Sequence, residues 1–299
     1  MGTNQPTDDS RTYVKRVASF STSQKTLGSF SMKSLWWILV TVFVCKDGQC
    51  RNVNKHWASS KSDSQINIIG GEVAEHGEFP YQVSVQHKGI FGQIHVCGGS
   101  VLDKMYVLTS ANCIESISAK NIRVIAGMTS LAKDVDTKQE VRVTSKVIHE
   151  KYSSVTRDND IALLKLEQEL ILNDLVRSIE LPIEDVPDGS ICIMTGWGAT
   201  TPTGDRVDDL HKVQIPVVDS TICRTFYGES AISDGMVCAG KITGGSGSCE
   251  GDMGGPLQCE GVLQGIYSWG KGCAEPASPG VYTKVIHYKE WIEDFILIH

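Results

Sequence analysis

The sequence predicts an all-β protein closed by one C-terminal helix and held by disulfides. Three observations carry that expectation. Short β-rich runs recur at 81–86, 100–108, 122–126, 161–166, 191–196, 263–268 and 280–285, separated by Gly, Asp, Asn and Pro. Many short strands with turn signals between them are the pattern of a barrel or a sandwich. Val285, Trp291, Ile292, Phe295 and Ile296 recur near a helical period at the C-terminus, as one face of an amphipathic helix does. Ten cysteines stand singly rather than in CxxC pairs, which favours a disulfide framework over zinc and points to an oxidising compartment.

The bulk composition agrees. The 299 residues are 41% apolar and 21% charged, enough to build a sizeable core. A formal charge of −7 argues against nucleic acid or an anionic membrane as the partner.

In chain order, residues 1–31 are rich in Ser, Thr and Lys without periodicity, and are expected to be a disordered extension. Met32-Lys33-Ser34 precedes the apolar run 35–45. A basic residue before about a dozen apolar ones has the shape of a secretory signal, here 32–48, with Met32 a plausible start. The run is too short for a bilayer, which needs roughly 20 residues. The expectation is a secreted, extracellular protein with no stable membrane insertion. Residues 49–67 are polar and propeptide-like, and lead into Ile68-Ile69-Gly70-Gly71 and one domain over 68–299. The chain contains no N-x-[ST] sequon, so N-glycosylation is not expected.

One stretch organises the rest: Ser248-Cys249-Glu250-Gly251-Asp252-Met253-Gly254-Gly255-Pro256. It resembles the nucleophile loop of the trypsin/chymotrypsin-like serine proteases, usually GDSGGP, and the resemblance extends over 68–299. It implies two six-stranded antiparallel β-barrels with the active-site cleft between them. Its chemistry needs a serine, a histidine that takes its proton, and an aspartate that orients the histidine. The serine position holds Met253, whose thioether has no ionisable proton. The stretch matching TAAHC reads Thr109-Ser110-Ala111-Asn112-Cys113, and a carboxamide is no general base near neutral pH. Asp158-Asn159-Asp160-Ile161-Ala162 matches DNDIA, placing Asp160 at the retained triad position. Asn112 and Ser268 are its expected hydrogen-bond donors.

By the same resemblance the oxyanion hole is the backbone N–H of Gly251 and Met253, which needs no particular side chain. Gly247 forms the base of the primary specificity pocket, and Gly270 and Gly280 leave its walls open. Ser246 and Ser248 fall on the wall, Met253 projects toward the mouth, and Glu250 adds a negative rim. The eight histidines include none in the Ser110–Cys113 turn; His149 matches a surface turn, and the others read as loop or edge residues. A cut before Ile68 would free an ammonium for Asp252. The preceding residue is Asn67 where the family has Arg or Lys, so a mostly uncleaved chain is expected. Asp134, Asp136 and Glu140 match a loop that binds calcium in some members but read more simply as a charged surface loop; no metal or cofactor is expected.

The implied disulfides are Cys97–Cys113, Cys192–Cys259, Cys223–Cys238 and Cys249–Cys273, a choice spacing alone could not make. Cys45 and Cys50 remain, to pair with each other or, through Cys50, with another chain. The functional expectation is a protease homologue without peptidase activity that binds a protein or peptide, such as another protease or an inhibitor, as cofactor, decoy or regulator. An endopeptidase with a rearranged site and a disulfide-linked structural or adhesive protein are the alternatives.

Overall fold

A computed structural model describes the backbone of 43–46 and 49–52, and residues 70–90, 92–199, 204–249 and 251–298 in full. The expectations for 1–31, for most of 32–48 and of 49–67, and for Asn67, Ile68 and Glu250 lie outside the described residues. Two units divide the chain, 1–61 and 62–299. In the first, β1 (Phe43–Lys46) and β2 (Gln49–Asn52) form an antiparallel hairpin whose register sets Cys45 opposite Cys50.

The second unit contains both expected barrels. After the short β3 (Glu72–Val73), six strands follow: β4 (Gln82–Gly89), β5 (Gly92–Val101), β6 (Tyr106–Thr109), β7 (Ile122–Ala126), β8 (Gln139–Ile148) and β9 (Ala162–Leu166). They close in the order β4-β5-β6-β9-β8-β7, every neighbouring pair antiparallel. Val83, Val85, Val107, Val124, Leu164 and Leu166 fill the interior. Each such buried side chain stabilises the fold by about 1.5–3 kcal/mol relative to exposure.

The second barrel comprises β10 (Ile191–Gly196), β11 (His211–Val218), β12 (Met236–Ala239), β13 (Pro256–Cys259), β14 (Val262–Trp269) and β15 (Gly280–Lys284). The order β10-β13-β14-β15-β12-β11 is closed by β10 pairing with β11, and β3 adds to β11.

Some elements depart from the sequence expectation. The run 100–108 is two strands, because Asp103 Oδ1 accepts from the backbone N–H of Met105 (2.6 Å) and Tyr106 (2.8 Å) and reverses the chain. β8 and β11 were hidden because their outward positions are polar, which dilutes the apolar run. Among the described residues there are three α-helices: α1 (Ala111–Ile114), α2 (Ser220–Tyr227) and α3 (Lys289–Ile298). α2 is N-capped by Asp219, whose carboxylate accepts from Ile222 N. In α3, Ile292 is fully buried and Trp291, Phe295 and Ile296 pack beside it, against a cluster that includes Ile161 and Leu163 of the first barrel and Leu263 of the second. The C-terminal helix therefore seals the seam between barrels.

All four implied disulfides are formed. Cys97–Cys113 ties β5 to α1, and Cys249–Cys273 ties the loop before Asp252 to the one after β14. Each closed loop restricts the unfolded chain, a contribution on the order of 3 kcal/mol.

Candidate active site

Three chain segments converge between the barrels. β6 ends at Thr109, Ser110 enters α1 in extended conformation, and Asn112 sits in that single helical turn. Asp160 follows a tight turn in which Arg157 (φ 62°) and Asn159 (φ 54°) both adopt left-handed backbone, a conformation few non-glycine residues take. Met253 lies in the loop entering β13.

Asp160 is fully buried. Its Oδ1 accepts the backbone N–H of Asn112 at 2.7 Å, and its Oδ2 accepts the hydroxyl of Ser268 at 2.5 Å. Burial pushes its carboxyl up, opposed by these donors and by the charge of Arg157. Ser268 is thus the donor the sequence suggested, whereas Asn112 donates through its backbone.

The Asn112 carboxamide is committed elsewhere. Its Nδ2 donates to Met253 Sδ at 3.1 Å. Its Oδ1 accepts from Arg157 Nη1, which also donates to the Tyr152 hydroxyl at 3.0 Å. Met253 therefore reaches across the cleft to Asn112, packed against the cores of both barrels, rather than toward the pocket mouth. Arg157 was missed by sequence reasoning. The only signal for it was a cation three residues before the buried carboxylate.

Gly251 adopts φ 97° and carries the loop into Asp252, which is wholly buried. The Asp252 carboxylate accepts from Gly198 N (2.7 Å) and Cys249 N (2.9 Å). Glycine is required opposite it: a Cβ on Gly196 or Gly198 would stand 2.1 or 2.5 Å from its carboxylate atoms. Burial raises Asp252 to about 7, only partly offset by the two N–H donors.

His95 is not the loop or edge residue expected from the sequence. It is buried, with Nε2 3.1 Å from the Gly251 carbonyl, Nδ1 2.7 Å from Ser84 Oγ, and its ring edge-on to Trp197. The carbonyl only accepts, so Nε2 carries the proton and Nδ1 accepts from Ser84. Burial lowers His95 to about 4. Ser84 and His95 have the contact of a nucleophile and base, but Ser84 is fully buried, which leaves no approach for a peptide.

Gly247 lies between buried Ser246 and Ser248, on a cavity that Gly270 and Gly280 also line. The walls are not open as expected. Tyr267 lines the cavity beside both glycines, and the space left is about 10 Å³. Elsewhere, Asp134 pairs with Lys138 at 2.6 Å. Among the described residues, no cluster of His, Cys, Asp and Glu is arranged to hold a metal ion. No helix there is long and apolar enough to cross a membrane.

Residues 68–292 match the family model described as Trypsin. The chain is 39% identical over 233 residues to Trypsin-1 of Astacus astacus, covering 76% of this chain and 98% of the relative. It is 39% identical over 227 residues to Trypsin I-P1 of Gallus gallus (76% and 88%). It is 37% identical over 236 residues to Anionic trypsin of Bos taurus (79% and 92%).

Proposed function

The chain belongs to the trypsin family of serine endopeptidases, and from that premise we propose that this member has lost peptidase activity and acts by binding. The observation that carries the reading is the direct contact of Asn112 Nδ2 with Met253 Sδ, where the family's base and nucleophile would stand. Neither group can exchange a proton with substrate: the carboxamide is no base and the thioether no nucleophile of the activated kind. In a serine protease of another fold, losing either partner costs roughly 10⁶ in kcat. Asp160 keeps its donors, so its role is to satisfy the fold at a position whose chemistry has gone. Gly251, Gly247, Ser268, Gly270 and Gly280 frame a peptide groove. Its ligand is a segment of another protein, such as a protease or an inhibitor, which the homologue shields or presents. Secretion is supported by the signal-shaped run at 32–48 and by the disulfide framework.

The test is hydrolysis of a broad peptide library by the purified chain beside Asn112→His/Met253→Ser, both carrying Asn67→Lys so that the segment before Ile68 can be removed. A silent wild type and an active double variant are expected. Cleavage by the wild type above background overturns the reading.

A further inference from the structure

The cavity at Gly247 is lined by Ser246–Ser248, Gly270, Gly272, Ala274 and Ser278–Gly280, with Lys241 also on its wall, and is a neighbour of the Met253 loop. Tyr267 accepts from Gly254 N (2.8 Å) and donates its own N–H to Gly255 O (2.9 Å), so β14 holds its side chain beside that loop. The register pairs it with Tyr282 on β15, and the two rings meet at 5.3 Å between centroids. A Cβ placed on Gly270 would lie 2.9 Å from the Tyr267 hydroxyl oxygen, and one on Gly280 would lie 3.3 Å from its ring carbon Cε2. The phenol therefore reaches both glycines, and their lack of a Cβ is what makes room for it. The remaining 10 Å³ is the space of about one water molecule.

We infer that Tyr267 is the specificity-determining residue of this groove: its ring occupies the pocket from within, so the anchoring residue of a bound peptide is no larger than glycine or alanine. This rests on the groove being the peptide site of the proposed function, and it names the class of peptide. The physical reason is packing. The ring is already buried against Tyr282, and displacing it would expose apolar surface that no incoming side chain replaces without the same volume. Among the described lining residues Gly247 stands at the base and the one charged side chain is the cation Lys241, which disfavours a cationic anchor.

The test uses the full secreted chain and p-cresol, a free copy of the tyrosine side chain. Calorimetric titration and Tm are read for wild type and Tyr267→Ala. The variant is expected to bind p-cresol saturably, at least roughly tenfold tighter than wild type, and to gain Tm on adding it, as emptied apolar cavities take up small aromatics. Equal binding by wild type overturns the inference, since the pocket is then open; so does a folded variant that binds nothing. If Tyr267→Ala does not fold, Tyr267→Val with benzene applies the same criteria. Neither readout involves hydrolysis, so an active wild type would sink the proposed function while leaving this result standing.

Discussion

Asn112 and Met253 are in direct hydrogen-bonded contact, carboxamide nitrogen to thioether sulfur at 3.1 Å, although 141 positions separate them in the chain. A weak acceptor has been set where the family needs an acid–base partner. The two substitutions are a matched pair in space, and restoring one leaves its partner unsuited to it. Met253→Ser alone should show no labelling by a fluorophosphonate probe and no hydrolysis. Measurable turnover by that single variant would count against the account.

Arg157 holds the carbonyl end of the same carboxamide. In Asn112→His/Met253→Ser its guanidinium would face the new imidazole, disfavour the imidazolium formed during catalysis, and lower the histidine pKa. Adding Arg157→Leu to the double variant should raise kcat/KM by about tenfold, the equivalent of about one pKa unit. The pH–rate profile should move its acidic limb upward.

Asp160 is a structural residue in this site. Asp160→Ala would strand the Ser268 hydroxyl and the Asn112 N–H in the interior. A loss of about 2–4 kcal/mol in urea denaturation is expected.

His95 makes stability depend on pH in a definite direction. Its folded pKa of about 4 lies below the ordinary 6.5. As pH falls through that window the unfolded chain takes up a proton the folded chain refuses, so the His95 contribution is present above 6.5 and is lost toward 4. Asp252, raised from 3.8 to about 7, acts oppositely: its contribution is present below 3.8 and is lost as pH rises to 7. Between pH 4 and 6.5 the two slopes cancel in the wild type. His95→Gln should unmask the Asp252 slope. The variant's stability should fall relative to wild type by about 1.4 kcal/mol per pH unit across that range, measured by denaturant titration at pH 4, 5 and 6.5.

Asp252 also predicts the outcome of cutting at residue 67. Among the described residues no cation pairs with it, and two backbone N–H groups supply its hydrogen bonds. In Asn67→Lys, cleavage before Ile68 should raise Tm by about 5 °C at pH 8, where the carboxylate is ionised and an ammonium partner offsets its desolvation. At pH 5 the gain should shrink. Wild type, with Asn67 intact, should resist the same protease at this bond, as N-terminal sequencing will show.

Chemistry that depends on one side chain was legible from residues 68–299. Met253 and Asn112 are what they are in any fold, so the loss of base and nucleophile follows from their functional groups. The pairing of eight cysteines followed from resemblance, and the closing helix from periodicity, because an apolar face repeats wherever a helix must cover a seam. β8 and β11 escaped because polar residues such as Arg142 and Thr144, or Lys212 and Gln214, interrupt their apolar runs. Tertiary structure alone decided the contacts. Spacing cannot say that left-handed turns at Arg157 and Asn159 deliver a guanidinium to Asn112, 45 positions away. It cannot say that His95 is sealed against Gly251, or that the ring of Tyr267 fills the space two glycines vacate. Side-chain identity sets what a group can do, while packing across two closed barrels sets what it meets.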